Sequence, residues 1–236
     1  MQYSEPSVVT LSGLVRRRAR DRRPVLCGVL VLGLTGAAWG QGVSPASCVA
    51  SSRPTAEIMM SCQRAVAADP NSPDIRMRYG AVLSTAGQLP EALSQFTEAT
   101  RLAPTSVDAW YDAGMMAEML SRFDQSLKSF QAAVRLRPSD AGGRWHVGVA
   151  LYNLDRFADA LAAFREAVRL EPGDAVAWGD MALCAVELRQ DRNALLYWRQ
   201  ALRVRPGYFT TADPAERRLY SEVVKRAGNL EASKSQ

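Results

Sequence analysis

Residues 107–140 read VDAWYDAGMMAEMLSRFDQSLKSFQAAVRLRPSD, and this stretch decides the fold. Trp110, Ala113, Gly114, Ala117 and Leu120 fall at i, i+3, i+4, i+7 and i+10, along one face of an α-helix. Phe123 follows, and Leu127, Phe130, Val134 and Leu136 line a second amphipathic segment. Pro138 closes it, because proline lacks an amide N–H and disfavours helix in the residue before it. Ser139-Asp140 then supplies turn and N-cap chemistry for another helix.

The unit recurs. Pro70, Pro104, Pro138, Pro172 and Pro206 are each separated by 34 positions. With proline at about 5% of residues, four further hits at one preset spacing arise by chance about once in 10⁵. Phe96, Phe130, Phe164 and Trp198 share the period, as do Leu93, Leu127, Leu161 and Leu195, and Ala99, Ala133, Ala167 and Ala201. Small residues repeat too: Gly80, Gly114, Gly148 and Ala182 in the first helix, and Ala92, Ser126, Ala160 and Ala194 in the second. Two helices of a hairpin approach closely only where a side chain is nearly absent.

With residues 73, 107, 141 and 175 as position 1, the pattern resembles the tetratricopeptide repeat family: Trp at 4, Gly at 8, Ala at 20, Phe at 24, Ala at 27 and Pro at 32. Trp110 and Trp178 fill position 4, whereas Arg76 and Arg144 depart from it. Positions 7 and 11 hold apolar residues other than the family's Leu and Tyr. The resemblance implies an all-α fold, a right-handed α-solenoid of four helix-turn-helix repeats at 73–106, 107–140, 141–174 and 175–208. The ends are atypical. Residues 41–72 form a leader with one capping helix at 55–68, and Asp213-Pro214 opens a C-terminal capping helix within 209–228. Gly228 reads as its stop and 229–236 as a polar tail.

The net charge of +5 is concentrated at one end. Residues 1–40 carry Arg16, Arg17, Arg18, Arg20, Arg22 and Arg23 against Glu5 and Asp21, so the rest of the chain is nearly neutral. The arginines precede an apolar run, Val25 to Ala38, ending in Ala38-Trp39-Gly40. Basic residues, an apolar run and then small side chains predict an export signal over 1–40, cleaved after Gly40 or Ala38. An uncleaved signal anchor is the alternative, although the run is shorter than the roughly 20 residues that span a bilayer. Either form places the repeats outside the cytoplasm: periplasmic if cleaved, and held at the inner membrane if not.

Catalytic chemistry finds no footing. His146 is the single histidine, and there is no nucleophile elbow, P-loop or Cys-x-x-Cys. The reading is therefore not an enzyme, with no catalytic, cofactor or metal residues. The periodic arginines Arg101, Arg135, Arg169 and Arg203 read as a solvated face, since Glu98, Glu166 and Glu171 lie beside them, and no nucleic-acid partner is expected. Cys48 and Cys62 are 14 residues apart and could pair after export; the alternative is a free Cys48 and a core Cys62 at the Phe position. Cys184 reads as an inert helical thiol.

In family members the inner face of the first helices takes a peptide or helix, through positions 2, 5, 9, 12 and 13. Here that resemblance selects Met77, Tyr111, Met115, Met119, Trp145, Val149, Tyr152, Asn153 and Leu183, with Ala81 among them. The co-chaperone subgroup binds a terminal carboxylate with Lys, Asn and Arg. Met77, Ala81, Asp112, Gly142 and His146 stand at those places, so no such clamp is expected. Methionine and aromatic side chains make adaptable apolar contacts, which points to an apolar or amphipathic segment of a protein partner. Ordinary core packing, or cover by the leader, is the competing reading of the same residues.

Overall fold

Each 34-residue unit folds as a helix pair with identical offsets from copy to copy. A computed structural model describes Cys48 and residues 56–232. The expected signal at 1–40, residues 41–47 and 49–55 of the leader and the last four residues lie outside the described residues. The helices are α1 (Ala56–Ala68), α2 (Pro73–Thr85), α3 (Leu89–Leu102), α4 (Val107–Met119), α5 (Phe123–Leu136), α6 (Ala141–Asn153), α7 (Phe157–Leu170), α8 (Ala175–Glu187), α9 (Asp191–Val204), the short α10 (Tyr208–Thr211) and α11 (Pro214–Ala232). No strand occurs among the described residues. They divide into two compact units, one ending at Arg137 and one beginning at Pro138.

Local chemistry sets each helix end. The first helices start on side-chain caps. Ser72 accepts from the Ile75 amide (3.4 Å), Ser106 from Ala109 (3.3 Å) and Asp140 from Gly143 (3.1 Å). Asp174 accepts from Val176 and Ala177 at 2.8 and 3.2 Å. Each satisfies amides that a helix start leaves without a partner. The second helices have no such side-chain caps. The chain enters them through a left-handed residue at Gly87, Ser121, Asp155 or Arg189, with φ of 76°, 58°, 61° and 58°. The next amide then bonds a carbonyl five residues back, as Arg122 does to Ala117 at 2.8 Å and Gln190 to Ala185 at 2.8 Å. Only the first of these four positions carries the glycine that suits the conformation. Arg189→Gly is therefore expected to raise stability by about 0.5–1 kcal/mol, seen as a higher urea midpoint at unchanged slope; an unchanged or lower midpoint would count against left-handed strain there.

Position 4 explains its own departures from the family pattern. Trp110 Nε1 donates to the Pro104 carbonyl at 2.9 Å, and Trp178 Nε1 to Pro172 at 3.1 Å. Arg76 donates through Nε and Nη2 to Pro70 (3.2 and 3.1 Å), and Arg144 likewise to Pro138 (3.1 and 2.9 Å). Indole and guanidinium serve the same acceptor six residues back, at the point where the preceding helix has ended.

In the first unit each helix packs against its chain neighbours. Its core joins Cys48 and Cys62 to Tyr79, Val82, Leu83, Leu93, Phe96, Ala113, Met116 and Ala117. Cys48 and Cys62 are bonded through sulfur, with their Cα atoms 4.6 Å apart. In the second unit Phe164, Trp198, Val149, Met181 and Ala182 are buried and form part of the core. A single device spaces the helix pairs of both units. A Cβ built on Gly80 would lie 2.7 Å from the Phe96 ring, one on Gly114 2.9 Å from Phe130, and one on Gly148 2.5 Å from Phe164.

The C-terminal cap closes on a buried carboxylate. Glu216, in the first turn of α11, is 3% exposed. Its Oε1 accepts from Trp198 Nε1 (2.9 Å) and from the Tyr208 hydroxyl (2.8 Å). Burial pushes its pKa up, while the two donated hydrogen bonds oppose that rise. Tyr208 reaches this place because Gly179 has no Cβ; one would run into the Tyr208 hydroxyl. Arg226 pins the far half of α11 to Asp191 with two bonds of 2.8 and 2.9 Å. Asp213 caps the helix, accepting from the Ala215 amide at 2.8 Å. Gly228 does not stop it. The helix runs on to Ala232, because Gly228 lies in open space without a left-handed φ and good helix formers follow it.

Candidate functional site

In the first unit, Met77 on α2 and Tyr111, Met115 and Met119 on α4 are part-buried. Tyr111, Met115 and Met119 are spaced by four residues and so follow one stripe of α4. The three methionines and Ala81 rest against the unit's core, leaving part of each side chain accessible. Tyr111 stands edge-on to Phe130, with centroids 5.2 Å apart, which fixes its ring.

Asp112 lies beside Tyr111 and is also part-buried. Burial, and secondarily the charge of Asp108 one turn earlier, push its carboxyl up to about 6. A carboxyl raised by folding contributes its stability below its unfolded value and loses it as pH rises through the folded one. Wild type should therefore lose about 1–3 kcal/mol relative to Asp112→Asn between pH 4 and 8. Urea titrations of both chains across that range check this; parallel profiles would refute it.

The second unit differs. Trp145 on α6 is 8% exposed, and its Nε1 donates to Asp180 Oδ2 on α8 at 2.7 Å. Its ring also packs edge-on to His146 at 4.8 Å. Tyr152 is buried and its hydroxyl donates to Glu187 Oε1 at 3.3 Å. Val149 is 0% exposed and Leu183 3%. These two belong to the core, and they offer no surface for a peptide. Asn153 is part-buried, and its Nδ2 donates to the Val149 carbonyl at 2.8 Å. Asp180, which repeat spacing alone does not single out, organises this face: it is 2% exposed and ties α6 to α8. Cys184 is fully buried, and burial pushes its thiol far up, so it stays protonated.

The arginine ladder is compensated where its contacts are defined. Arg101 pairs with Glu98 at 2.7 Å and Arg169 with Glu166 at 3.0 Å, both on exposed surface. Among the described residues no group of three or more His, Cys, Asp or Glu is placed to hold a metal ion, and no helix is long and apolar enough to cross a membrane.

The family profile described as "Tetratricopeptide repeat" matches residues 61–107, 80–141 and 111–175. Residues 61–175 carry tetratricopeptide repeats. Solved structures of tetratricopeptide-type solenoids share the fold. A crystal structure of MamA is 19% identical with a TM-score of 0.60, covering 65% of this chain and 90% of that one. YrrB, a TPR protein with an unusual peptide-binding site, is 23% identical with a TM-score of 0.60, over 63% of this chain and 77% of its own. MamA from Desulfovibrio magneticus RS-1, residues 41 to the end, is 18% identical with a TM-score of 0.59, over 64% and 85%. No curated protein matches the sequence. Within residues 61–175 the repeats account for the helix pairs α2–α3, α4–α5 and α6–α7 and for the glycine–phenylalanine contacts between the helices of each pair.

Proposed function

We propose that the chain is a non-catalytic scaffold whose α2–α4 face holds an apolar or amphipathic segment of a protein partner in a bacterial-type cell envelope. The observation that carries this reading is the part-exposed stripe in which Met77, Met115 and Met119 rest on the core and Tyr111 stands against the buried Phe130 ring. The binding site of YrrB, a protein of the same fold, lends support. The Cys48–Cys62 bond suits an oxidising compartment outside the cytoplasm. Met115→Ser with Met119→Ser is expected to abolish partner capture from native envelope extracts while leaving the melting transition in place. Equal capture by wild type and variant would sink the reading. Trp145→Ala is a poor probe, because it would remove the hydrogen bond that Trp145 gives the buried Asp180 carboxylate and so disturb the core.

A membrane-anchored assembly factor, serving a secretion, pilus or polysaccharide machine, is the second reading. The Arg-rich segment and the apolar run after it favour this reading. Mass measurement of the N-terminus separates the two: an intact 1–40 segment means an anchor, and its loss means a released scaffold.

A further inference from the structure

We propose that Asp112 is the specificity-determining residue of the α2–α4 face and accepts a lysine or arginine side chain of an amphipathic partner segment. This rests on the scaffold reading above and adds the chemistry of the occupant.

The repeat supplies the geometric argument. Asp180 on α8 and Asp112 on α4 occupy the same repeat position, two periods apart. Asp180 is satisfied by the indole N–H of Trp145 at 2.7 Å. The residue that precedes Asp112 by the same 35 positions as Trp145 precedes Asp180 is Met77, whose side chain has no N–H or O–H to give. Asp112 therefore keeps the acid and lacks the donor that its counterpart receives. Among the described residues no hydrogen bond or ion pair reaches it.

The surroundings set the sign of what would fit. Asp108, one helical turn away, adds a second negative charge, and Met115 lies one turn the other way. An incompletely solvated carboxylate with a like-charged neighbour gains most from a cation that arrives with its own apolar stem. Lysine and arginine have that form, and the part-exposed Met77, Met115 and Met119 receive the stem and the apolar residues flanking it. Where the co-chaperone clamp presents groups for a carboxylate, this unit presents Met77, Ala81 and Asp112. A partner's terminal carboxylate is repelled, and a basic residue within an apolar segment is favoured.

The carboxyl's raised titration in the free protein agrees with this picture. Asp112→Asn should consequently have opposite effects on two measurements: a more stable free protein at neutral pH and a weaker complex. A purely structural carboxylate would not divide the effects in that way.

Selection of a phage-displayed library of random 16-residue peptides on the full chain provides the test. Wild type is expected to enrich peptides with one Lys or Arg among apolar residues. Affinity for a selected peptide should fall about tenfold or more on Asp112→Asn and recover largely on Asp112→Glu. Replacing the peptide's basic residue with norleucine should remove the difference between wild type and variant. Enrichment of apolar peptides with no basic preference overturns this proposal and leaves the scaffold reading standing. A basic preference that survives Asp112→Asn also overturns it. Failure to enrich any peptide overturns both, provided that the bait melts as the free protein does.

Discussion

Gly148→Ala is expected to destabilise the chain by about 1–3 kcal/mol, a larger effect than its single added methyl suggests. The Cβ would meet the Phe164 ring at 2.5 Å, below any ordinary carbon contact. Phe164 is 0% exposed, so its ring has no solvent side toward which to move. Helix propensity acts in the opposite direction, since alanine is worth nearly 1 kcal/mol over glycine inside a helix. A net loss would thus mean that overpacking outweighs propensity. Phe164→Ala is expected to cost about 3–5 kcal/mol by leaving a cavity. The double variant should cost less than the sum, because the new methyl fills part of the space the ring vacates. Urea unfolding of the four chains completes the cycle; strict additivity would show that the two residues do not share one contact.

Cys62→Ser is expected to remove about 3 kcal/mol, the loop-closure contribution of a bond spanning 14 residues. The helix at that end has no partner helix before it among the described residues. Cys62 sits at the phenylalanine position of the repeat, and Cys48, bonded to it, is fully buried in the same core. Without the bond, α1 should fray first. Hydrogen exchange would then accelerate over 56–68 before it does over α2 to α5. Thiol labelling of the denatured, unreduced protein should find Cys184 and, where the N-terminal segment is retained, Cys27. Labelling of Cys48 and Cys62 as well would exclude the bond.

The helix pairs were legible because one constraint, a ring packed on a missing side chain, leaves its mark every 34 residues. The entry turns of the second helices were not legible. Ser121, Asp155 and Arg189 take a left-handed conformation that only Gly87 announces, and the carbonyl bonds of the turn impose it on the others. The candidate site was partly legible. Position 5 places Tyr111 and Trp145 on equivalent surfaces, yet Trp145 is withdrawn by an acid 35 residues away. No local pattern announces that pairing. Val149 and Leu183 stand at face positions, but a helical period does not separate a side chain on the surface from one a layer beneath it. No local pattern sets Glu216 apart from other first-turn acids; its burial comes from Trp198 and Tyr208, which lie 18 and 8 residues away in sequence.

The alternation of arginine and tryptophan at position 4 has an evolutionary consequence. A copied segment inherits a carbonyl in need of a donor, and two unlike side chains supply one, tryptophan with one N–H and arginine with two. Drift between them leaves the hairpin intact while converting a flat aromatic patch into a positive charge. Duplicated copies can therefore diverge in what they display without passing through an unfolded ancestor, and replacing Arg144 with tryptophan would retrace one such step.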